Sequence, residues 1–333
     1  MKTWNFGILG PGKIARRFAD AFQHVPNARV SAVASRDPEK AKQFASAVGA
    51  DKYYGSYEDL VKDPAVDMVY IATPHPFHHA QTVLCLKHHK AVLCEKPLAM
   101  NAHQVTEMIA LSQNSNTFLM EGMWSRFFPA THKALDLIQS GTIGEVKFLY
   151  ADFGFSAPVN LEGRVYNLAL GGGAQLDVGV YPLFLAMQVL GRPIDIKSFS
   201  HLAVTGADAT SSALFRYSNG ALAHIFSSFV ADSPKEAHIL GTKGRITLHA
   251  PWYKTERVSL QLNSGEITEF PLRHSGNGFE FQITEVVRCL EERKIESALM
   301  PHSLSLLMAE VSDEIRRQGG VKYTSDQVGF LTS

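Results

Sequence analysis

One short run constrains the fold of this 333-residue chain more than any other: Gly10-Pro11-Gly12-Lys13-Ile14-Ala15. The run has the pattern G-x-G-x-x-A, follows the apolar segment 5–9 directly and opens an amphipathic segment that ends near His24. A strand, a glycine turn and a helix in this order form the setting in which the pattern binds a dinucleotide. The first glycine permits the tight turn, the second lets backbone N–H groups approach a pyrophosphate, and the alanine allows close helix–strand packing. A tight turn without a ligand is the alternative.

Short apolar runs alternate with amphipathic runs through the first 121 residues. Strands are predicted at 5–9, 28–34, 67–72, 91–94 and 117–121. Helices are predicted at 11–24, from Asp37 onward, around Val83 and Leu86, and at 102–113, where apolar residues recur at helical spacing. Strand and helix in alternation indicate a parallel sheet that is covered on both faces. We therefore predict a Rossmann domain, a doubly wound parallel sheet, over residues 1–121.

The second half of the chain follows a different pattern. Strand-like runs are found at 146–155, 194–204, 211–217, 221–229, 237–241, 245–249, 258–262 and 267–271. Asn219-Gly220, Lys243-Gly244 and Ser264-Gly265 separate neighbouring runs with hairpin signals. Two helices, at 279–293 and 303–318, complete the pattern. We predict that residues 122–333 form an α/β domain with a large, mainly antiparallel open sheet.

The charge balance excludes some function classes. Lys and Arg together number 32, and Asp and Glu also number 32, so the formal charge of zero predicts neither a nucleic-acid partner nor a membrane partner. No apolar run approaches the about 20 residues of a membrane-spanning helix. The three cysteines match no zinc spacing, and together with the absence of a signal peptide they favour the reducing cytoplasm.

The residues after the second predicted strand bear on the choice of dinucleotide. An NAD enzyme usually places Asp or Glu there to bind the ribose 2′-hydroxyl, whereas this chain has Ser35-Arg36. A carboxylate would repel a 2′-phosphate, and a serine and an arginine would bind one. Asp37 is better explained as the N-cap of a helix that begins at Pro38. The sequence therefore predicts NADP as the cofactor, with NAD as the less favoured alternative.

Two further segments follow predicted strands at the carboxyl edge of the sheet, where cofactors bind in open α/β folds. The first contains Thr73, Pro74, His75 and His78, and the second contains Glu95-Lys96. We expect these residues to face the cofactor and Lys96 to be partly desolvated beside it. A metal site at the histidines is disfavoured because no acidic or cysteine partner lies nearby in the sequence.

A glycine-rich run in the second half carries the remaining candidates. It reads Gly171-Gly172-Gly173 and continues to Asp177 and Tyr181, which lie four residues apart and so share one face of a helix. Pro182 predicts a kink or a helix start at this point. Beside an ammonium such as that of Lys96, Tyr181 would act as a general acid or base. A buried tyrosine that serves only structure is the alternative.

These segments together resemble the Gfo/Idh/MocA family of oxidoreductases over nearly the whole chain. The likeness rests on the 10–15 run, Thr73-Pro74, Glu95-Lys96-Pro97-Leu98 and the segment from Gly172 to Tyr181, in the family's order. The run Met120-Glu121-Gly122-Met123-Trp124-Ser125-Arg126-Phe127, with tyrosine at 181, further resembles the branch of dimeric dihydrodiol dehydrogenases and NADP-linked xylose dehydrogenases. The resemblance implies a Rossmann domain followed by a domain whose open sheet forms the interface of a homo-oligomer.

The resemblance also implies residue roles and a substrate class. Lys96 contacts substrate and cofactor, Tyr181 exchanges the hydroxyl proton, Asp177 orients Tyr181 or a substrate hydroxyl, and Trp124 and Arg126 line the substrate pocket. The expected substrate is a small polyol, sugar or dihydrodiol, which exchanges a hydride with NADP. Two alternatives stay open: another sugar or cyclitol dehydrogenase of the family, and a dinucleotide-sensing regulator without catalysis.

Overall fold

The computed structural model describes residues 2–326, which group into two compact units. The first unit contains 2–99, His103–Trp124 and Ser275–Ser305, and the second contains Met100–Ala102, Ser125–His274 and 306–326. The predicted division of the chain after residue 121 stays a prediction. The contacts differ from it in three respects: they place Ser275–Ser305 and 122–124 with the first unit, and Met100–Ala102 with the second.

A six-stranded parallel sheet forms the centre of the first unit. Its strands are β1 (Trp4–Leu9), β2 (Ala28–Ala34), β3 (Lys52–Tyr54), β4 (Met68–Ile71), β5 (Ala91–Glu95) and β6 (Leu119–Gly122). The order across the sheet is β3-β2-β1-β4-β5-β6, and every neighbouring pair is parallel. The predicted doubly wound fold is confirmed. The sequence pattern missed β3 because this strand has three residues and is largely exposed.

The α-helices of the described residues follow most of the predicted positions. They are α1 (Lys13–Asp20), α2 (Pro38–Val48), α3 (Tyr57–Lys62), α4 (His78–Lys87), α5 (Ala102–Asn114), α6 (Pro129–Gln139), α7 (Val180–Leu190), α8 (Phe279–Glu291) and α9 (His302–Gly319). The carboxylate of Asp37 accepts hydrogen bonds from the backbone N–H groups of Glu39 and Lys40, at 3.1 and 3.2 Å. Asp37 is therefore the N-cap of α2, as its position before Pro38 predicts.

Aromatic packing explains why α8 belongs with the parallel sheet. Phe18 on α1 stacks on Tyr70 of β4, with ring centroids 3.6 Å apart, and it meets Phe279 of α8 edge to face at 6.0 Å. All three side chains are fully or almost fully buried. Burial of rings of this size contributes several kcal/mol in total, at about 25 cal/mol per Å² of apolar surface.

The second unit is built on an eight-stranded sheet. Its strands are β7 (Val146–Gly154), β8 (Asp195–Leu202), β9 (Asp208–Arg216), β10 (Leu222–Ser228), β11 (Ala237–Gly241), β12 (Gly244–Leu248), β13 (Arg257–Leu262) and β14 (Ile267–Pro271). The order is β14-β13-β12-β11-β7-β10-β9-β8, and all neighbours are antiparallel except the parallel pair of β7 and β10. The predicted mainly antiparallel sheet is confirmed.

One helical stretch of the second unit departs from the sequence analysis. Residues Leu168–Leu190 are long and apolar enough to span a membrane by length and composition, although no such stretch is expected from the sequence. In the most apolar window of this stretch, 83% of the residues are buried inside the protein. The helix α7 at its end packs on β7 and β10, as a core helix of this composition does.

Candidate active site

The turn between β1 and α1 has the shape that the glycine pattern predicts. Gly10 has φ +86°, and a Cβ there would lie 2.7 Å from the Cγ2 atom of Thr73, so no larger residue fits without strain. Gly12 is the N-cap of α1 and has an ordinary φ of −112°. A Cβ at Gly12 would meet nothing closer than 4.0 Å, so packing within the protein does not require glycine at this position. The open space over the N-terminus of α1 is where a pyrophosphate would lie.

A cavity of about 400 Å³ opens beside this turn in the first unit. Its walls come from the loops at the carboxyl edge of the parallel sheet and from α2, α3 and α4: Gly10, Pro11, Ser35, Arg36, Lys40, Tyr57, Ala72, Thr73, Pro74, Phe77 and Gln81. Five predicted cofactor residues are therefore brought together, namely Gly10, Ser35, Arg36, Thr73 and Pro74. Among the described residues that line the cavity none is acidic, and two are cationic. Lys13 and Ile14 lie in the first turn of α1, the helix that this turn opens.

The cationic wall of the cavity contains a residue that the sequence analysis missed. Lys40 lies one turn after Arg36, and its Nζ is 3.5 Å from the carboxylate of Asp37. Arg36 lies 5.3 Å from the ring centroid of Phe77. Burial raises the pKa of the Tyr57 hydroxyl, while the charge of Arg36 and its hydrogen bond to that hydroxyl oppose the rise. One end of the cavity is thus surrounded by two cationic side chains, a serine hydroxyl and a phenol. These groups together are suited to bind a phosphate group.

His78 has a different position from the one expected of a cofactor ligand. It is fully buried, and its two ring nitrogens lie 2.8 Å from the carbonyl oxygen of Pro97 and 2.9 Å from that of Thr73. Burial lowers the pKa of its imidazole. Both ring nitrogens therefore contact the backbone, and His78 holds together the loops that follow β4 and β5. His75 is also buried, in the short turn before α4.

Lys96 follows β5 directly and is only partly buried, as its position after an apolar run predicts. Its neighbour Glu95 points into the interior and accepts a hydrogen bond of 2.5 Å from the hydroxyl of Tyr70. Glu121 on β6 accepts a 3.0 Å hydrogen bond from the backbone N–H of Leu98. Burial raises the pKa of Glu121 to about 7, against the lowering effects of the Ser305 hydroxyl, the Leu98 N–H and the charge of Lys96. Glu121, which the sequence analysis did not single out, thus fixes the loop that carries Lys96.

Trp124 and Arg126 are both largely buried, with 5% and 7% of their surface exposed. The indole of Trp124 stacks on Phe279, with centroids 4.7 Å apart, and the guanidinium of Arg17 lies 5.5 Å from the indole ring. Both contacts of Trp124 lie within the first unit. Arg126 belongs to the second unit, so the predicted pocket role of this pair stays a prediction.

The glycine-rich run of the second unit leads into a single turn of π-helix over Gln175–Gly179, and α7 begins at Val180. Helical backbone continues from Ala174 through the π-turn into α7, so Pro182 lies within a helical stretch and not at its start. Of the two predicted outcomes, a kink or a helix start, the π-turn before Pro182 corresponds to the first. Asp177 lies in the π-turn, and Tyr181 lies in the first turn of α7; both are buried. Single π-turns inside helices often mark functional sites, because they displace side chains from regular helical spacing.

The ring of Tyr181 lies against two aromatic neighbours. Its centroid is 5.5 Å from that of Phe153 on β7 and 5.4 Å from that of Tyr253. Phe153 and Tyr253 stack face to face at 4.2 Å. This aromatic wall, formed by Phe153, Tyr181 and Tyr253, is able to contact the apolar face of a sugar or of a carbocyclic ring.

Asp177 binds a residue that the sequence analysis did not predict. The Nη2 atom of Arg164 donates a hydrogen bond of 2.8 Å to Oδ2 of Asp177. The carboxylate side chain is 9% exposed, whereas the arginine side chain is about half exposed at 46%. The sequence gives no direct signal for this ion pair, since the two residues are thirteen positions apart and belong to different kinds of local structure. Within residues 2–326, no group of three or more His, Cys, Asp or Glu side chains is arranged to hold a metal ion.

Comparisons with known proteins agree with this architecture. Residues 4–123 match the oxidoreductase family with an NAD-binding Rossmann fold, named GFO_IDH_MocA, and residues 131–247 match the GFO/IDH/MocA C-terminal domain. The trans-1,2-dihydrobenzene-1,2-diol dehydrogenase of Xenopus laevis is 39% identical over 330 residues, which cover 96% of this chain and 98% of that protein. The human protein of the same name is 36% identical over 335 residues, with coverage of 97% and 98%.

Solved structures show the same fold. The aldose-aldose oxidoreductase from Caulobacter crescentus, complexed with glycerol, has a TM-score of 0.87 at 25% identity, and the match covers 96% of this chain and 98% of that one. A 3-ketoreductase from Actinomadura kijaniata, in complex with NADP and TDP-benzene, has a TM-score of 0.85 at 25% identity, with the same coverage. The predicted family resemblance is confirmed.

Proposed function

The chain belongs to the GFO/IDH/MocA family of oxidoreductases, and from this premise we propose that it is an NADP-dependent dehydrogenase of a sugar or a trans-dihydrodiol. The family and the named dehydrogenases among its relatives establish an NAD(P)-dependent oxidoreductase. The choice of NADP and the class of substrate are our proposals. The free, buried thiols of Cys85, Cys94 and Cys289 support the further proposal of a reducing, cytoplasmic location.

The observation that carries the cofactor proposal is the cationic end of the cavity in the first unit. Arg36 and Lys40 line it together with Ser35, and the nearby carboxylate of Asp37 is engaged by the N-terminus of α2. A 2′-phosphate placed there would meet two positive charges, whereas the two hydroxyls of an NAD ribose would bring no anion to Arg36 and would leave Lys40 with its 3.5 Å contact to Asp37. Gly10 and Gly12 would hold the pyrophosphate against the N-terminus of α1.

The proposed chemistry assigns roles to a few residues. A bound nicotinamide ring would supply the hydride acceptor in oxidation and the hydride donor in reduction. The phenolate of Tyr181 would take the proton of the substrate hydroxyl while the C–O bond becomes a carbonyl, and in the reverse direction its hydroxyl would return that proton. The ammonium of Lys96 would polarise the reacting oxygen and favour the phenolate, which requires Lys96 and Tyr181 to converge on the substrate. The aromatic wall would bind the ring of the substrate.

A substrate panel tests this proposal. NADP⁺ and NAD⁺ are each offered with xylose, glucose, inositol and trans-1,2-dihydrobenzene-1,2-diol, and the absorbance of the reduced cofactor is followed. We expect turnover of at least one substrate with NADP⁺ and a loss of about a thousandfold or more in Tyr181→Phe, since general acid–base catalysis contributes about 10²–10⁴. Turnover with NAD⁺ only, or an active Tyr181→Phe variant, would refute the respective assignment. If no combination of cofactor and substrate is turned over but NADPH binds tightly, the result would instead favour a dinucleotide-sensing regulator.

A further inference from the structure

The glycine-rich run has a structural purpose that points to Arg164. The backbone N–H of Gly172 donates to the carbonyl of Asn167 at 2.9 Å, and that of Gly173 donates to the carbonyl of Val165 at 3.0 Å. A Cβ at Gly172 would lie 2.7 Å from the carbonyl oxygen of Arg164, so only glycine allows this approach. Gly172 and Gly173 therefore allow the loop backbone around Arg164 to pack directly against the segment that contains Asp177.

The side chain of Arg164 is held in the same place by its own ion pair. Asp177 is buried, and its carboxylate accepts the 2.8 Å hydrogen bond from the guanidinium, a charge-assisted contact of the strong kind. Tyr181 lies four residues after Asp177, in the first turn of α7, and it is buried as Asp177 is. Burial alone would lower the pKa of Arg164, but the charges of Asp177 and then of Tyr181 outweigh it and raise that pKa.

We propose that Arg164 is a positioning residue whose guanidinium, fixed by Asp177 and the glycine-rich run, stabilises the phenolate form of Tyr181. The proposal deepens the proposed function and rests on it for its catalytic consequence. In oxidation, the stabilised phenolate oxygen takes the proton of the substrate hydroxyl and becomes a neutral phenol. Asp177 in this arrangement acts on Tyr181 through Arg164, and not by orienting a substrate hydroxyl.

Other titratable side chains of the second unit, beside Tyr181 or on the strands that pack on α7, have contacts of their own. Tyr253 contributes only a phenol, at a ring distance of 5.4 Å. On β7, the carboxylate of Asp152 accepts hydrogen bonds from the Ser233 hydroxyl and the Lys235 backbone N–H. On β10, burial lowers the pKa of His224, and its ring is bonded to the Ser212 hydroxyl. Asp177 itself carries a negative charge that opposes the effect of Arg164, and the double variant described below measures this opposition.

The test compares Arg164→Met with Arg164→Lys, and uses Arg192→Met as a matched control. Arg192 is an exposed arginine of the same unit, paired with Glu310. Two readouts are taken for each variant: the pH dependence of kcat in oxidation, and the absorbance titration of Tyr181, obtained by subtracting the same variant with Tyr181→Phe. We expect the Met variant to raise the titration midpoint of Tyr181 by about one unit or more and the Lys variant to restore most of the shift. The control should leave the midpoint unchanged.

A double variant and the absorbance titration of Tyr181 separate the outcomes that overturn the proposal from those that support it. If Arg164→Met with Asp177→Asn returns the midpoint to the wild-type position, the ion pair has no net effect on the phenol and the proposal is overturned. If Arg164→Met does not change the titration midpoint of Tyr181, the proposal is overturned as well. In that case, turnover by the wild type still supports the proposed function. If the wild type turns over nothing in the panel but Arg164→Met still raises the midpoint of Tyr181, the inference holds and the proposed function fails. Circular dichroism confirms that each variant is folded.

Discussion

At the scale of single residues, the cofactor preference rests on charge at one end of a cavity. Lys40 lines that cavity, whereas Lys42 on the same helix is exposed and lies outside it. Lys40→Met should raise KM for NADP⁺ about tenfold, equivalent to about 1.4 kcal/mol, because one charged contact to the 2′-phosphate is lost. KM for NAD⁺ should change little, and Lys42→Met should change neither constant. Equal losses for both cofactors would show that Lys40 acts on something other than that phosphate.

Glu121 makes a prediction about stability and pH. Its pKa is raised by burial from the ordinary 4.5 to about 7, so the folded protein binds the proton more tightly than the unfolded chain does. The stabilisation is complete below about pH 4.5 and is lost as the pH rises through about 7. Relative to wild type, Glu121→Gln should therefore gain stability over this interval, by up to about 3 kcal/mol. Urea unfolding at several pH values measures this difference.

The control for this prediction is Glu266→Gln, because Glu266 is an exposed carboxylate in the turn between β13 and β14. Its stability difference from wild type should be independent of pH. A pH-independent difference for Glu121→Gln as well would mean that Glu121 titrates normally in the folded protein.

At the scale of elements, the strand-to-helix turn separates two roles of glycine. Gly10→Ala forces a methyl group into a backbone with φ +86° and against Thr73, so it should cost about 2 kcal/mol or more of unfolding free energy. Gly12→Ala meets open space at an ordinary φ and should change that free energy by less than about 0.5 kcal/mol. The new methyl group would nevertheless occupy the place of the pyrophosphate. NADPH binding by fluorescence titration should weaken at least tenfold in Gly12→Ala, and undiminished binding would show that the cofactor does not use this turn.

Element positions were predictable where periodicity and turn chemistry agree. The strands β2, β11 and β14 have the predicted boundaries to within one residue, and Asp37 caps α2 as its position before Pro38 indicates. The strand β3 was missed because a three-residue, mostly exposed strand carries no apolar pattern. In the candidate site, motifs that follow predicted strands identified five residues that line the cavity of the first unit. The ion pair of Arg164 with Asp177 joins segments whose proximity only the fold determines, so local sequence rules give no signal for it.

At the scale of the whole molecule, one face of the eight-stranded sheet exposes several large apolar side chains. The strand register places Phe199, Leu214, Leu222 and Leu240 on this face, and 83% of Phe199 is exposed. Lys197, Arg216 and His224 share this face with them. Large apolar side chains exposed together, with polar residues around them, are typical of an interaction surface. Because an antiparallel sheet with one solvated face normally carries polar residues there, we propose that a second copy of this chain covers it in a homo-oligomer.

Phe199→Lys combined with Leu214→Lys should disrupt that association, because two charges would have to be buried without partners in the interface. Light scattering after gel filtration should give a multiple of 36.6 kDa for the wild type and 36.6 kDa for the double variant. Val159→Lys is the matched control, since Val159 is 78% exposed but lies in a loop and not on the sheet. The control should keep the wild-type mass. A wild type that is already monomeric at the concentrations tested, or a double variant with unchanged mass, would mean that this face does not hold two copies together.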